Sequence, residues 1–295
     1  MSTTLSARRG GAAAVVANAF TVDVEDYFQV QAFASVVDRS RWGDFTPRVE
    51  ANTQRLLDLL RERGIRGTFF VLGWVAERFP GLVRSIAEAG HEVASHGMSH
   101  RLIYEQTPEV FREETRRAKG LLESHVQRPV HGYRAATYSI TARSLWALDI
   151  IAEEGFRYDS SIFPMHHDNY GIPDAPTEPY TLTTPSGAQL AEFPISVLRW
   201  HGLTIPVAGG GYFRLFPYAL TRWALRRINE ERGPFVFYLH PWEVDADQPR
   251  VAGASLKSRF RHYQNIARCE SRLHHLFDDF AFVAMEDVLR LKGLL

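Results

Sequence analysis

The stretch Gly90-His91-Glu92-Val93-Ala94-Ser95-His96-Gly97-Met98-Ser99-His100 decides how the other segments of the chain are interpreted. Its first half is typical of a short strand that begins after a glycine and runs into a loop. The loop carries two histidines four positions apart, a spacing that also fits one side of a helical turn and lets both side chains bind one metal ion. Since two hydrogen-bonded loop histidines would have the same spacing, a metal site needs support from other segments.

The same order, a short buried strand followed by a polar side chain, recurs along the chain. Predicted strands at 20–22, 91–94, 130–133, 156–158 and 235–239 are followed in turn by Asp23, His96, Arg134, Asp159 and His240. Further strands are predicted at 67–73, 190–197 and 280–283, and helices at 46–64, 80–89, 107–122, 141–155, 217–231 and 262–277. Alternating strands and helices predict parallel β/α units around one sheet. In β/α barrels the carboxyl ends of the strands converge, so we expect these polar side chains to form one site.

The composition argues against several classes of protein and of metal site. Lys plus Arg and Asp plus Glu both number 34 in the 295 residues, so no net charge favours nucleic acid or an anionic membrane. No apolar run reaches the roughly 18 residues that span a bilayer. Cys269 is the only cysteine, so an internal disulfide or a cysteine-based zinc site cannot form, and His, Asp or Glu must hold any metal.

We expect a single α/β domain, since the chain shows no internal repeat and no long linker. Residues 1–17 are interpreted as a flexible tail, because their apolar stretch is too short for a signal peptide and is interrupted at Asn18. With the lone cysteine, this favours a cytoplasmic location. Residues 18–243 are predicted to form the barrel, with a long excursion at 164–190 and a turn at the glycines 209–211. Residues 244–295 form a C-terminal elaboration that starts with a loop at 244–259.

The residue types at the strand ends suit one reaction. A catalytic zinc usually has three protein ligands, and His96, His100 and one carboxylate of the cluster Asp23, Glu25 and Asp26 supply that set. Such a metal lowers the pKa of bound water from 15.7 to about 7, and a second carboxylate can then act as general base.

Other strand-end groups complete the predicted mechanism. His240 can protonate the leaving group, Arg134 can keep the base ionised, and Asp159 can fix the tautomer of His240. Tyr138 and Trp242 can form apolar walls or stack on a sugar, although core packing is the more common role of aromatic residues beside strand ends.

Five segments, taken in order, resemble those of the polysaccharide deacetylases, carbohydrate esterases that share a NodB-type homology domain. The segments are Thr21-Val22-Asp23-Val24-Glu25-Asp26, Ser95 to His100, Gly132-Tyr133-Arg134, Tyr158-Asp159-Ser160-Ser161 and Leu239-His240-Pro241-Trp242-Glu243. The stretches at 23–28, 104–108 and 209–213 are similar to deacetylases found beside exosortase and exopolysaccharide gene clusters.

The resemblance implies a distorted (β/α)7 barrel that removes N- or O-acetyl groups from a glycan with the help of Zn²⁺ or another divalent transition metal. By the same resemblance His96 and His100 are metal ligands and Asp23 is the base. Arg134 tethers that base, and Asp159 supports His240, the acid.

Two departures from the family pattern affect the site. Val24 follows Asp23 where the family commonly has a second aspartate, so the carboxylate ligand is Glu25 or Asp26. Alternation along an extended segment points Glu25 the same way as Asp23 and favours it, whereas a bulge would bring in Asp26. The second departure is Ala136, which replaces a proline usual after the arginine and affects the loop in which Thr137 is expected to donate its N–H to the oxyanion.

Two other functions fit the same segments. One is a deformylase or an amide or imide hydrolase of the same fold, acting on a small substrate. The other is a catalytically inactive barrel that binds a glycan. The presence of a base, an acid, an arginine and two metal histidines favours an enzyme, because a binding module needs none of them.

Overall fold

The computed structural model describes residues 16–167 and 170–295. Within them the strands are β1 Ala17–Val24, β2 Thr68–Val71, β3 Glu92–Ser95, β4 Gly132–Tyr133, β5 Tyr158–Asp159, β6 Tyr180–Thr183, β7 Gln189–Glu192, β8 Val197–Trp200, β9 Leu203–Pro206, β10 Val236–Leu239 and β11 Ala281–Val283. The helices are α1 Val49–Glu62, α2 Gly73–Arg78, α3 Pro80–Glu88, α4 Pro108–Val126, α5 Trp146–Glu153, α6 Gly210–Leu215, α7 Tyr218–Glu231, α8 Leu256–Tyr263, α9 Cys269–Asp279 and α10 Met285–Leu291.

Parallel strands form the centre of the fold. The sheet runs β10-β1-β2-β3-β4-β5-β7, and every neighbouring pair in this series is parallel. β6 adds to β7 in the antiparallel direction, and β11 pairs with the first residues of β1. These seven parallel strands with connecting helices confirm the predicted α/β class, and β11 ties the C-terminal segment into the same sheet.

An irregular segment covers the side of the sheet between β7 and β10. The Val236 N–H donates to Ser196 Oγ at 3.0 Å, and the Tyr238 N–H donates to the Ala208 carbonyl at 3.0 Å. Gly209 makes this approach possible, because a Cβ at its φ of 141° would lie 2.1 Å from the Tyr238 carbonyl oxygen. β10 is therefore covered on the edge that faces away from β1.

Burial explains why these sequences form the sheet. The strands β2, β3 and β10 are buried at every residue, as expected for parallel strands that have helices on one face and a filled interior on the other. On α1 the buried positions include Leu56, Leu57 and Leu60, one face of the helix. Each such leucine contributes roughly 1.5–3 kcal/mol by leaving water.

Several helix boundaries differ from the sequence predictions. α1 begins at Val49 rather than at Thr46-Pro47, because its first N–H groups are capped by Asp26, far away in the sequence. α6 begins inside the glycines 209–211, which were predicted to form only a turn.

The C-terminal segment also differs from its prediction. α8 starts within the predicted loop 244–259, and Asn265, with a φ of 52°, separates it from α9, so the helix predicted at 262–277 is two helices. The polar character of residues 256–263 conceals α8 in the sequence, because only His262 on this helix is buried.

Other expectations concern the ends and the excursion. Residues 1–15, most of the predicted tail, lie outside the described residues, and β1 already begins at Ala17. The excursion at 164–190 contains β6. The boundary at residue 243 stays a prediction. In the described ranges no helix combines the length and the apolar character needed to cross a bilayer.

Candidate active site

The carboxyl ends of β1, β3, β4 and β10 bring the predicted site residues together. Asp23 is the penultimate residue of β1, and Glu25 follows that strand directly. His96 and His100 follow β3, and Arg134 follows β4. One ligand atom from each of Glu25, His96 and His100 lies within 4.8 Å of the others, and all three residues are buried. The parallel sheet thus produces the convergence that the sequence predicts.

The contact between Glu25 and His100 tests whether this cluster fits a cation. Glu25 Oε2 lies 2.7 Å from His100 Nε2, yet Oε2 has no hydrogen-bond partner among the described residues. A carboxylate oxygen and two imidazole nitrogens at this separation form a donor set that a metal ion can bind. Burial raises the pKa of Glu25, but the nearby histidines lower it to about 2, so it is a carboxylate. The cluster therefore fits a divalent metal with nitrogen and oxygen ligands.

His96 is oriented by the strand next to its own. Its Nδ1 lies 2.9 Å from the Arg134 carbonyl oxygen, a contact that places the proton on Nδ1 and leaves the Nε2 lone pair for a metal. Burial lowers the pKa of His96 to about 4, so the imidazole is neutral at neutral pH. Both features are those of a metal ligand.

The loop after β3 presents His100 without forming a helical turn. Gly97 and His100 have positive φ angles of 72° and 51°, and residues 96–100 are not helical. Arg39 donates from Nε to the Ser99 carbonyl and from Nη2 to the His100 carbonyl, each at 3.0 Å. The histidine spacing therefore works through a constrained loop, and the helical interpretation of the pair was wrong.

Asp26, the alternative ligand, is bonded elsewhere. Its Oδ2 accepts the N–H groups of Arg48 at 2.7 Å and Val49 at 3.0 Å, and its Oδ1 accepts the Tyr27 N–H at 2.9 Å. These contacts cap the N-terminus of α1, where a carboxylate is favourable. The structure thus brings Glu25 to the histidines and assigns Asp26 to the helix.

Asp23 is held by Arg134. Arg134 Nη1 donates to Asp23 Oδ1 at 2.6 Å and to Thr21 Oγ1 at 2.9 Å, and both charged residues are buried. Two other guanidinium nitrogens donate to Ser160: Nε to its carbonyl oxygen and Nη2 to its hydroxyl oxygen. Because one Asp23 oxygen is fixed in this way, the other can point to a reacting water.

His240 is paired differently from the prediction. Its Nδ1 lies 2.8 Å from Glu243 Oε1, and the second Glu243 oxygen accepts from Arg214 Nε at 2.6 Å. Burial lowers the pKa of His240, but the hydrogen bond to Glu243 and the charge of Glu25 raise it to about 9. Arg214 in turn donates to the carbonyls of 261, 262 and 264, so the C-terminal segment anchors this pair.

Asp159 does not contact His240, which corrects the predicted role. Its Oδ1 accepts the Ser161 hydroxyl at 2.6 Å, and its Oδ2 accepts the Ser161 N–H at 3.1 Å. Its partner in strand register is Glu192 on β7. The prediction was wrong because Glu243 lies three residues after His240 in a tight turn and reaches Nδ1 first.

The loop after Arg134 is fixed without the proline that the family usually has. Thr137 and Tyr138 have φ angles of 55° and 53°, two consecutive left-handed residues that are not glycine. The hydroxyl of Ser139 closes the turn by donating to the Ala136 carbonyl at 2.6 Å, and it accepts the Ile103 N–H at 3.0 Å. Thr137 is half-buried in this constrained turn, and its role as oxyanion donor stays a prediction.

The two aromatic residues predicted to contact substrate are largely buried. Tyr138 packs edge-on against Phe163 and Tyr238, and its hydroxyl lies 3.4 Å from Asp23 Oδ2. The Trp242 ring stacks on His240 with centroids 5.1 Å apart. Tyr138 therefore contacts the candidate base and Trp242 the candidate acid, and their contact with a substrate stays a prediction.

Comparison with known proteins agrees with this geometry. A family model described as polysaccharide deacetylase matches residues 42–158, which carry the histidine pair and Arg134. This match identifies a polysaccharide deacetylase domain in that part of the chain. A second model, a domain of unknown function (DUF3473), matches residues 160–290. The segment that adds β7 and β10 to the parallel sheet and holds His240 thus falls under the second model.

Curated relatives match parts of this chain. A chitooligosaccharide deacetylase of Bradyrhizobium sp. (strain ANU 289) is 30% identical over 34% of this chain and 43% of its own length. A peptidoglycan-N-acetylglucosamine deacetylase of Bacillus cereus is 33% identical over 24% of this chain and 26% of its own length. The chain therefore spans less than half the length of either relative.

Solved structures extend the likeness to the whole chain. A Mycobacterium smegmatis protein provisionally named polysaccharide deacetylase has a TM-score of 0.58 at 26% identity, covering 95% of this chain and 91% of its own. An allantoinase reaches 0.59 at 17% identity, covering 93% and 89%, and shows the fold alone.

Sequence reasoning missed two residues of this site, Glu243 and Arg214. Glu243 was visible beside His240, and its position three residues on, after a proline, is the available signal, because a helical turn brings such residues together. Arg214 gives no comparable signal, since nothing in the glycine-rich stretch before it indicates which carboxylate it will meet.

Proposed function

We propose that this protein is a metal-dependent hydrolase that removes acetyl groups, N-acetyl groups foremost, from a glycan made during exopolysaccharide biosynthesis. One observation carries the proposal. A buried Glu25/His96/His100 cluster lies beside an arginine-held aspartate on one side and a histidine–glutamate pair on the other. Zn²⁺ is the metal that two imidazoles and one carboxylate favour.

The chain's own residues divide the proton transfers. When bound, the metal would polarise the acetyl carbonyl and acidify a water. Asp23, with Oδ1 held by Arg134, is placed to take the proton of the attacking water as general base. His240 has a raised pKa of about 9 and so carries a proton at neutral pH, which it can give to the leaving amine.

We also propose that the protein is located in the cytoplasm. Cys269 is a free, buried thiol, which agrees with a reducing compartment such as the cytoplasm. Fractionation of cells that produce the protein tests this point independently of the activity.

Acetate release tests the activity. Purified protein loaded with Zn²⁺ should release acetate from an N-acetylated oligosaccharide, lose that activity on chelation and regain it when Zn²⁺ is returned. A metal-free protein with full activity would contradict the metal site. Hydrolysis of a formamide or a cyclic imide, without acetate from any acetylated glycan tried, would keep the site and reject the glycan substrate.

A further inference from the structure

A cavity of about 400 Å³ adjoins the acid side of the active site. We call it the C-terminal cavity, and its defining residues are Tyr170, Tyr212, Trp242, Lys257, Phe260 and Arg261. Its volume lies in the range of small-molecule sites. Trp242 belongs to both places, because its ring lines the cavity and stacks on His240 with centroids 5.1 Å apart. A group bound in the cavity is thus next to the acid.

The aromatic lining fits a sugar. Tyr212 and Phe260 line the cavity with aromatic rings, against which the C–H face of a pyranose ring can pack. The Tyr170 ring is stacked on His167, with centroids 3.8 Å apart, and on Phe163, and it forms part of the wall. Phe260 is 61% exposed, an unusual exposure for a large aromatic side chain on a folded domain. An exposed ring at the rim of a cavity offers a stacking surface rather than core packing.

The charge of the lining is one-sided. Lys257, Phe260 and Arg261 lie on one face of α8, at positions i, i+3 and i+4. The described lining includes no Asp or Glu, and its third cation, Arg214, is already paired with Glu243. Among residues 16–167 and 170–295, neither Lys257 nor Arg261 forms a salt bridge, and both side chains line the cavity.

We propose that the C-terminal cavity binds an anionic sugar adjacent to the acetylated one, so that the substrate is an acidic glycan. The inference rests on the proposed function, because it names the substrate class of that site. Arg261 can bind an oxyanion through a planar pair of N–H groups, and Lys257 adds a point charge. The anion can be the carboxylate of a uronate or a phosphate substituent, since both satisfy these cations.

Binding measured by calorimetry tests the cavity without requiring turnover. A hyaluronan tetrasaccharide supplies a carboxylate beside each N-acetyl sugar, and its methyl ester is the neutral counterpart. N-acetylchitotetraose with and without a 6-phosphate supplies the phosphate pair. We expect at least one anionic probe to bind about tenfold more tightly than its neutral counterpart, and the preferred pair identifies the anion.

Variants on α8 locate the preference. The double variant Lys257→Gln/Arg261→Gln should lose the preference for the anion, whereas Arg259→Gln, on another face of the same helix, should keep it. With an acidic substrate the double variant should raise KM about tenfold and leave kcat unchanged. Equal affinity of wild type for both members of each pair would overturn the proposal, as would a preference that survives the double variant.

The two proposals fail in distinguishable ways. A charge preference that depends on Lys257 and Arg261, without acetate release from any probe, would support the cavity and reject the deacetylase. Acetate release with no preference in binding or in KM would support the deacetylase and reject the acidic substrate.

Discussion

The metal side of the active site and its acid side are held together by different means. On the metal side, Glu25 follows β1, and His96 and His100 lie in the loop after β3. His96 Nδ1 is held by the Arg134 carbonyl, and Glu25 lies against His100. On the acid side, His240 depends on Glu243, which in turn depends on a buried arginine and on carbonyls of the C-terminal segment. A family can preserve the first arrangement through short motifs, whereas the second needs an additional segment of chain.

This difference matches the two family models. The polysaccharide deacetylase model covers the loop with both histidines, and the domain of unknown function covers Arg214, His240 and Glu243. We infer that this second segment serves catalysis by supplying and orienting the acid, in addition to completing the sheet through β7 and β10. The predictions below separate the two sides.

The largest effect is expected on the metal side, from the neighbours Glu25 and Asp26. Glu25→Gln should lower metal affinity at least on the order of 100-fold and abolish activity, because the cluster loses its only carboxylate. Asp26→Asn should keep the metal and lose about 1 kcal/mol of unfolding free energy, since it weakens the cap of α1. Metal content by mass spectrometry and urea unfolding measure the two outcomes. Loss of metal from both variants, or from Asp26→Asn alone, would make Asp26 a ligand.

Next in size is the base, which lies between the two sides. Asp23→Asn should retain the metal and lower kcat on the order of 10²–10⁴-fold, the usual contribution of a positioned proton-transfer group. An amide can still accept the hydrogen bond from Arg134, so the fold should be preserved. Stopped-flow acetate detection on metal-loaded protein provides the measurement. Turnover within a few-fold of wild type would mean that another group takes the proton.

A smaller effect, on the pH dependence of kcat, distinguishes Glu243 from Asp159 as the partner of His240. The pKa of His240 is raised to about 9, so the imidazolium is present below that pH and activity should fall as pH rises through it. Glu243→Gln removes the charge that stabilises the imidazolium, so the alkaline limb of kcat should move to lower pH by at least about one unit. Asp159→Asn should leave that limb in place, because Asp159 is bonded to Ser161. The reverse pattern would restore Asp159 as the partner of His240.

The contrast between the metal side and the acid side also explains which parts of the site can be predicted from the sequence. Residue types at strand ends are enough to bring Asp23, Arg134 and the two histidines to one place, since parallel strands force their carboxyl ends together. Alternation along an extended segment from Asp23 favours Glu25 over Asp26, and in the structure Glu25 lies beside the two histidines. These are local arguments, and they succeed where the contact is set by the strand itself.

Contacts made through turns and distant segments could not be read in this way. The turn after Pro241 folds Glu243 back onto His240, and its geometry depends on the packing of Trp242 against His262, with ring centroids 4.1 Å apart. Asp159 was assigned to His240 because both follow strands, yet proximity at one sheet edge does not decide which pair meets. The polar surface of α8 likewise gave no apolar period to indicate a helix.

The smallest effect on activity is expected at Glu192, a second buried glutamate of the C-terminal half. Burial raises the pKa of Glu192 well above its usual range, and neighbouring Asp159 adds to the increase, so this carboxyl is protonated where Glu243 is ionised. Glu192→Gln replaces a neutral acid by a neutral amide of the same shape, and kcat should therefore stay within about threefold of wild type.

The pH dependence of the unfolding free energy, rather than the activity, should show whether Glu192 is protonated. A carboxyl whose folded pKa lies above its unfolded value stabilises the fold at low pH, and that contribution is lost as pH rises from about 4.5 towards the folded pKa. The unfolding free energy of wild type should thus fall between pH 5 and pH 8 by at least about 1 kcal/mol more than that of Glu192→Gln. Urea unfolding at both pH values measures the difference, and Glu243→Gln is the matched control, because its ionised carboxyl predicts no such relief at high pH. Parallel pH dependence in wild type and Glu192→Gln would mean that Glu192 is charged, and the two buried glutamates would then differ in partner but not in protonation.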